Sequence, residues 1–341
     1  MMQIETHSIN YILISTRRFR KGGQFYDRAT RYRLLFILYI RKNYLSAYTM
    51  STITPDTTTA AVPTGSMEVL SQEIDEKEGM YRIRSGQQVY YLTISTDVFD
   101  EDTMCRPYLL LPQLPNLLAY APSRKLRLAR NADDGSLAVT ADDTDPLREI
   151  TFTWHADRID VLSLPRIKRL NSGVFETVYR GGAAVAKIAC FEWQIPSRTR
   201  ETWAYCILTK SQQQQQPHRP SDDGGSPLIA PEFLGHLTEN GRVIGFLMEK
   251  LEGRCAGPGD LAPCAALLKR LHGLGDLGLV HGDVNRYNFV VNEGYGGVAV
   301  RMVDFEHAQD YDEELAREEL ESLPAELAEE TGRGSSITYY Y

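Results

Sequence analysis

Apolar and polar residues alternate in the part of the chain that follows residue 66. Residues 80–96 read MYRIRSGQQVYYLTIST, and residues 125–143 read KLRLARNADDGSLAVTADD. Alternation rich in Tyr, Ile and Thr predicts strands, and the Asp-Gly step in the second stretch predicts a hairpin. Residues 149–162, EITFTWHADRIDVL, predict a further strand in the same way. We therefore expect a mainly β extension over residues 67–156, in which no motif carries chemistry.

The next stretches predict strands, then a helix, then a strand. Residues 164–189, LPRIKRLNSGVFETVYRGGAAVAKIA, predict three strands separated by turns. Residues 197–210, SRTRETWAYCILTK, predict a helix that begins at Ser197 or Thr199. Residues 242–253, RVIGFLMEKLEG, predict a strand that runs into a connector ending in glycine. The apolar face of the helix would contain Trp203, Ile207 and Leu208.

Helical spacing of leucines predicts a second helix in residues 263–279, PCAALLKRLHGLGDLGL. The apolar runs NFVV and GGVAVRMVDFEHA predict a pair of strands, the second of which ends at Asp304. Residues 312–330, DEELAREELESLPAELAEE, predict a charged helix interrupted at Pro324.

Three segments are expected to lack fixed structure. Residues 1–66 are interpreted as a disordered or mis-annotated leader: residues 1–49 are basic and acid-poor, as in a mitochondrial presequence, unless the true start is Met50. Residues 211–227, SQQQQQPHRPSDDGGSP, predict a disordered insert. Residues 331–341 predict a flexible tail.

Composition places the chain among ordinary globular proteins. Hydrophobic residues make up 43% and charged residues 24% of its 341 residues, and the net charge of −8 gives no reason to expect nucleic-acid binding. The apolar run at residues 34–40 is too short for a membrane span. The five cysteines are scattered without C-x-x-C spacing, which suggests neither a disulfide framework nor a zinc site. We expect a cytoplasmic or nuclear protein.

The stretch HGDVNRYN at residues 281–288, followed by MVDFE at residues 302–306, carries the candidate chemistry. Taken alone, Asp283 could cap a turn and Asn288 could be a solvated loop residue. Taken together, the pattern resembles the catalytic and metal-binding loops of the protein-kinase-like superfamily. The Gly after His is the form found in aminoglycoside phosphotransferases and in the small kinase of the tRNA-modifying KEOPS complex. The whole chain is also similar to fungal kinase-like proteins of poorly defined function.

The resemblance implies an α+β bilobal fold. A β-rich small lobe would occupy residues 157–250 and a truncated helical large lobe residues 251–330, preceded by the β extension. It also implies ATP and Mg²⁺ as ligands. Asp283 would accept the proton of the attacking hydroxyl, His281 would brace the loop, and Asn288 and Asp304 would be metal ligands. Asn285 stands where conventional protein kinases have Lys.

The same resemblance assigns residues upstream. Lys187, in AVAK, would bind the α- and β-phosphates, and the alternative is a Lys that protects an edge strand. Glu201 would pair with it, and the competitor Glu192 is separated from the predicted helix by Pro196. Gly173 would cover the phosphates or would belong to a plain hairpin turn.

The strand at residues 242–249 resembles the one that joins the lobes of kinases. Met248 would be the gatekeeper, and main-chain groups near Glu249 and Leu251 would face adenine. Two departures qualify the resemblance: Glu306 replaces the glycine of D-F-G, and only 37 residues follow Asp304, which leaves no usual substrate platform. The expected function is ATP- and Mg²⁺-dependent phosphate transfer to a hydroxyl of an unknown acceptor. The alternative is a pseudokinase that binds nucleotide or a protein partner.

Overall fold

The computed structural model describes residues 67–142, 145–215, 228–274, 278–294 and 297–333. The chain divides into two units, residues 1–61 and 62–341, and every described residue belongs to the second. The predicted leader, most of the predicted insert and most of the predicted tail therefore lie outside the described residues. The described part is a mixed α and β structure with β-rich sheets and few helices.

The extension is a five-stranded sheet with the strand order β1-β2-β3-β4-β5. The predicted strands at residues 80–96 and 125–143 are confirmed, and one face of the sheet buries Tyr81, Ile83, Tyr90 and Leu92 under two short helices. The elements are β1 (Met67–Ile74), β2 (Glu78–Ser85), β3 (Gln88–Ser95), α1 (Glu101–Cys105), α2 (Pro107–Leu110), β4 (Lys125–Arg130) and β5 (Leu137–Ala141).

A second sheet of six strands has the order β6-β10-β11-β9-β8-β7. The three strands predicted in residues 164–189 are confirmed as an antiparallel set, and so is the strand at residues 242–249. The elements are β6 (Arg158–Asp160), β7 (Lys168–Asn171), β8 (Val174–Tyr179), β9 (Gly182–Ile188), β10 (Phe233–Glu239) and β11 (Arg242–Glu249).

The strand predicted across residues 149–162 was largely wrong, because only Arg158–Asp160 forms a strand. The main-chain amides of Trp154 and His155 donate to Nε2 of the buried His236, at 3.1 and 3.3 Å. These amides are therefore taken by a side chain and not by a neighbouring strand.

Helix α3 (Ile195–Gln215) is longer than predicted at both ends. It begins before Ser197 because Pro196 occupies its second position, where the missing N–H breaks no intrahelical bond. At the other end it continues through the first five residues of the predicted insert. The helix packs against β11 and against the turn that follows Asp304.

The C-terminal part consists of two small sheets and two helices. The predicted helix before the catalytic-loop motif and the predicted strand pair after it are confirmed. The charged helix continues through Pro324, contrary to the prediction, because Leu323 and Leu327 on either side of it are fully buried. The elements are β12 (Arg254–Cys255), α4 (Leu261–His272), β13 (Leu279–Val280), β14 (Phe289–Gly294), β15 (Gly297–Met302), β16 (Gln309–Asp310) and α5 (Glu313–Leu327).

The apolar core includes residues on both sides of residue 250. One cluster joins Val185 and Phe246 of the six-stranded sheet to Phe289, Phe305 and Leu323 of the C-terminal part. A second cluster places Val89 and Tyr91 of the extension against the six-stranded sheet, so the extension is packed on that sheet. In the described residues no helix is long and apolar enough to cross a membrane.

Candidate active site

Lys187 lies at the centre of the candidate site. Strand β9 is flanked by β11 and β8, and Lys187 is 6% exposed, so the interpretation of Lys187 as an edge-strand lysine was wrong. Its Nζ donates to Oε1 of Glu201 at 2.8 Å and also to Oδ1 of Asp304. The structure therefore brings together three predicted site residues that are 14 and 117 positions apart in the chain.

The competitor Glu192 faces away from this lysine. Its carboxylate lies 3.3 Å from Lys125 Nζ and accepts the Arg148 main-chain N–H at 2.8 Å. Glu192 therefore joins the extension to the start of α3, which agrees with the choice of Glu201 as the partner of Lys187.

Arg198, which the sequence did not single out, and Glu306, which it gave only as a replacement for glycine, complete the ion network. Nη1 of Arg198 donates to Oε2 of Glu201 at 3.1 Å and to Oε2 of Glu306 at 2.9 Å. Arg198 is 6% exposed and stands three residues before Glu201 on α3, so both face the same side of the helix. The three-residue spacing from Arg198 to Glu201 is the sequence signal that could have identified Arg198. Its contact with Glu306 has no such signal, because it depends on tertiary packing.

The two network carboxylates that contact Lys187 have opposite pKa shifts. Burial raises the pKa of Glu201, against the lowering caused by the charges of Lys187 and Arg198. Burial also acts to raise the pKa of Asp304, but the charge and hydrogen bond of Lys187 and the charge of Arg198 outweigh it and leave this pKa lowered. Asp304 is therefore the carboxylate that stays ionised most readily, and its side chain is 31% exposed.

The HGDVNRYN stretch, residues 281–288, forms a compact hydrogen-bonded turn around Asp283. Oδ2 of Asp283 accepts the side-chain amides of Asn285 and Asn288, each at 3.1 Å. Asn288 also donates to the main-chain oxygen of Asp283 at 2.8 Å. The two asparagines thus fix the carboxylate of Asp283. Because Asn288 uses its amide nitrogen here, its amide oxygen is the atom that could serve as a cation ligand.

His281 connects the loop to the residue that precedes Asp304 through one hydrogen bond. It is fully buried, and its Nε2 lies 3.0 Å from the carbonyl oxygen of Val303; because a carbonyl only accepts, Nε2 donates. Burial lowers the pKa of His281, against the raising effects of the Val303 hydrogen bond and of the charges of Glu319, Asp304 and Asp283. The ring therefore stays neutral and links the Asp283 loop to the residue that precedes Asp304.

A hydrogen bond from Glu319, which the sequence analysis did not identify, holds Gly282 in place beside Asp283. Gly282 has φ +79°, and a Cβ there would lie 2.2 Å from the main-chain oxygen of His307. Its N–H donates to Oε1 of Glu319 at 2.6 Å, and Oε2 of Glu319 lies 2.7 Å from Nε2 of His272. The glycine is required by this close approach, and Glu319 anchors the loop to α5.

Of the four predicted nucleotide-binding positions outside the network, Gly173 contacts the last residue of β9, and the other three lie at or just after the end of β11. Gly173 has φ +70°, and its carbonyl accepts the N–H of Ile188, so the β7–β8 turn folds over the residue after Lys187. A Cβ on Gly173 would lie 2.5 Å from the Ile188 oxygen, which accounts for the glycine without a phosphate. Met248 is buried, and its Sδ accepts the hydroxyl of Tyr205 at 3.2 Å.

Glu249 is the last residue of β11, and its side chain forms an ion pair with Arg301. Both of its carboxylate oxygens pair with Arg301, at 2.6 and 3.0 Å, and its N–H donates to the Glu232 oxygen at 2.9 Å. Leu251 follows the strand and is half-buried. The structure places both residues at the connector between the six-stranded sheet and the C-terminal part.

A metal at this site would need ligands from outside the protein. In the described part of the chain, no group of three or more His, Cys, Asp or Glu side chains is arranged to hold a metal ion. Magnesium is nevertheless commonly held by one or two carboxylates together with substrate phosphates and water. Asp304 and the amide oxygen of Asn288 fit that incomplete type of site.

Comparison with known proteins gives a weak structural likeness. The chain is similar to the crystal structure of the Rad53 kinase domain and SCD2, with 16% sequence identity and a TM-score of 0.29. The match covers 44% of this chain and 52% of that chain, so this chain spans about half the length of the matched structure. No protein-family model and no curated protein matches the chain.

Proposed function

We propose that the chain is an ATP- and Mg²⁺-dependent phosphotransferase of the small atypical kinase type. It would transfer the γ-phosphate to a hydroxyl, either of a protein Ser or Thr or of a small molecule. The observation that supports this most directly is the contact of one buried lysine, Lys187, with two carboxylates, Glu201 on α3 and Asp304 after β15. Perturbed, buried charge groups gathered around one cation are typical of functional sites.

The residues of the site have separate tasks in this reaction. Lys187, oriented by Glu201, binds the α- and β-phosphates. Asp283, fixed by Asn285 and Asn288, accepts the proton of the acceptor hydroxyl. The oxygen of that hydroxyl forms a bond to the γ-phosphorus, and the bond between the γ-phosphorus and the ADP oxygen breaks. Asn288 and Asp304 would hold Mg²⁺, which supplies positive charge to the phosphate oxygens when it is bound.

The contact between Lys187 and Asp304 has a consequence for binding. Lys187 must turn to the phosphates and Asp304 to the cation, so nucleotide and Mg²⁺ together replace one ion pair with two charge-matched contacts. Neither ligand alone satisfies both groups. We therefore expect ATP and Mg²⁺ to bind cooperatively, each weakly without the other.

The test is thermal unfolding of the full chain with ATP, Mg²⁺ or both, combined with a measurement of ATP turnover. A ligand that binds only the native state raises the melting temperature. We expect a clear rise with ATP and Mg²⁺ together, and turnover that falls at least about 100-fold in Asp283→Ala. Asp133→Ala, which removes an exposed carboxylate of the extension, should keep wild-type turnover. Wild-type turnover no higher than that of Asp283→Ala would contradict catalysis.

The second candidate function is a pseudokinase that binds nucleotide or a protein partner. The tie between Glu306 and Arg198, where kinases have a mobile glycine, favours it. A melting-temperature rise with ATP and Mg²⁺ but no turnover would select the nucleotide-binding form. Indifference to both ligands would leave only the partner-binding form.

A further inference from the structure

Arg198 has an arrangement that packing alone does not explain. Its guanidinium is buried, and its Nε has no hydrogen-bond partner although it is inaccessible to water. A buried cation with an unsatisfied donor costs stability, and an apolar side chain of similar size would avoid that cost. The position of Arg198 is therefore better explained by the two carboxylates that it contacts.

The first of these contacts orients Glu201. The two carboxylate oxygens of Glu201 are divided between two cations, with Oε1 facing Lys187 and Oε2 facing Arg198. Lys187 alone could pair with either oxygen, whereas the two cations together allow one rotation of the carboxylate. Arg198 thus fixes the direction in which Glu201 holds the lysine.

The second contact fastens the turn that carries Asp304. Glu306 is bound through its side chain by Arg198, and its main-chain oxygen accepts Nη1 of Arg200 at 3.4 Å. Phe305, between Asp304 and Glu306 in the chain, is fully buried. The centroid of its ring lies 5.6 Å from that of Tyr205 on α3 and 4.9 Å from that of His281. Helix α3 therefore holds the turn at two successive residues directly after Asp304.

The network also leaves a surplus of negative charge. Two cations face three carboxylates, which gives a formal charge of −1 before any ligand binds. The members are Lys187, Arg198, Glu201, Asp304 and Glu306. Without Arg198 the formal charge would be −2, and Lys187 would be the one cation left in this group of five residues.

We propose that Arg198 is a positioning residue that couples Glu201 to the Asp304 turn through Glu306. This inference rests on the proposed function. Where ordinary kinases have a flexible glycine after Asp and Phe, this chain has the fixed Glu306–Arg198 link. One helix therefore sets both the lysine and the cation-binding carboxylate in place. Arg198 touches neither nucleotide nor acceptor. Its effect on binding passes through Glu201 and Glu306.

The coupling can be tested without any ligand, by hydrogen–deuterium exchange of the full chain. We expect Arg198→Met and Glu306→Gln each to increase exchange at least tenfold in residues 303–308 and in the first turns of α3. The matched control is Lys210→Met, which removes an exposed cation further along the same helix. It should change exchange less than twofold. Exchange at the wild-type rate in Arg198→Met would overturn the inference.

The second readout is the Mg²⁺ concentration that gives half-maximal ATP binding, measured by calorimetry. We expect it to rise at least tenfold in Arg198→Met and to recover in part in Arg198→Lys. The double variant with Glu306→Gln should be no worse than Arg198→Met alone, because both changes break one link. Effects that multiply independently would contradict the coupling.

The outcomes separate this inference from the proposed function. If wild-type protein does not bind ATP with Mg²⁺, the proposed function fails while the exchange measurement still decides the coupling. If Arg198→Met does not fold, Glu306→Gln decides it, since that change keeps the size of a half-buried side chain.

Discussion

Two buried ion networks in this chain differ in what they leave exposed. In the first, Arg82 of β2 and Glu239 of β10 are paired with both side chains 0% exposed. The hydroxyl of Tyr91 donates to Glu239 at 2.6 Å, and Arg242 lies 3.4 Å from the same carboxylate. We call this the closed network. The open network is the group around Lys187, in which Asp304 is 31% exposed and the carboxylates outnumber the cations.

The difference indicates different uses of the same kind of pair. The closed network joins the extension sheet to the six-stranded sheet, and its central pair, Arg82 and Glu239, is inaccessible to solvent. Its members can only keep the partners they have, so its effect is on stability and on the packing of the two sheets. In the open network, the proposed function has Lys187 and Asp304 exchange each other for ligands, so the expected effect is on binding.

The largest expected effect comes from breaking the closed network with Arg82→Met. The change leaves Glu239 buried with only Tyr91 and the more distant Arg242, and removing one partner of a buried ion pair typically costs about 3 kcal/mol or more. We expect a loss of this size in the free energy of unfolding, measured with urea. The response of the melting temperature to ATP and Mg²⁺ should persist, because the open network is intact.

The matched control is Arg127→Met on β4, which breaks a half-exposed pair with Glu78 at 3.1 Å. Such pairs contribute about 0–1 kcal/mol. Equal losses in the two variants would mean that the closed network is no more stabilising than a surface pair.

Several of the strands that carry the two networks could be predicted from the sequence, because alternation and turn residues are local signals. That holds for β2 and β3, and for the three strands of residues 164–189. The non-strand course of residues 151–157 could not be predicted, since it depends on the imidazole of His236, which lies about 80 residues further along the chain. The continuation of α5 through Pro324 depends in the same way on buried leucines.

The site was predictable as far as motif spacing reaches. Lys187, Glu201 and Asp304 were selected from their places in known motifs, and the structure brings them together. Glu306 was noted only as a missing glycine, and Glu319 was not noted at all. Each of these carboxylates acts through a partner on another element, which no local pattern specifies.

A smaller effect on stability is expected when low pH adds a charge to the buried His236 of β10. Burial, with the charges of Arg158 and His155, lowers the pKa of His236 on β10 to about 3. The folded state therefore keeps this ring neutral, while the unfolded state takes up a proton below its ordinary pKa of about 6.5. The stability contributed by the neutral ring is complete above that value and is lost as pH falls from 6.5 towards 3.

The measurement is urea unfolding at pH 7 and pH 5. His236 should account for a loss of about 2 kcal/mol over this interval, from the linkage between pKa and stability. His236→Gln keeps an acceptor for the two main-chain amides but does not titrate, so its loss should be smaller by that amount. His307→Gln, at an exposed histidine, is the matched control and should follow the wild type. Identical pH dependence in wild type and His236→Gln would show that the folded state tolerates protonation of His236.

The smallest effect on stability is expected from Asp304→Asn in the open network. Removing this carboxylate leaves Lys187 and Arg198 balanced by Glu201 and Glu306. Asparagine also tolerates the left-handed backbone at this position, φ +67°, so the change adds little strain. We expect the free energy of unfolding to stay within about 1 kcal/mol of wild type, as for partly exposed pairs.

The same variant should lose the response to ligand, because Asp304 is the carboxylate assigned to the cation. ATP and Mg²⁺ together should raise its melting temperature no more than ATP alone. Asp157→Asn, which removes a partly exposed carboxylate paired with Arg180 at 3.3 Å, should keep the full response. A loss in Asp304→Asn as large as that in Arg82→Met would remove the distinction between the networks, since the open one would then also be structural. We expect Asp304→Asn to keep its stability and to lose its response to ligand, because the open network has a surplus of negative charge and Asp304 is partly exposed.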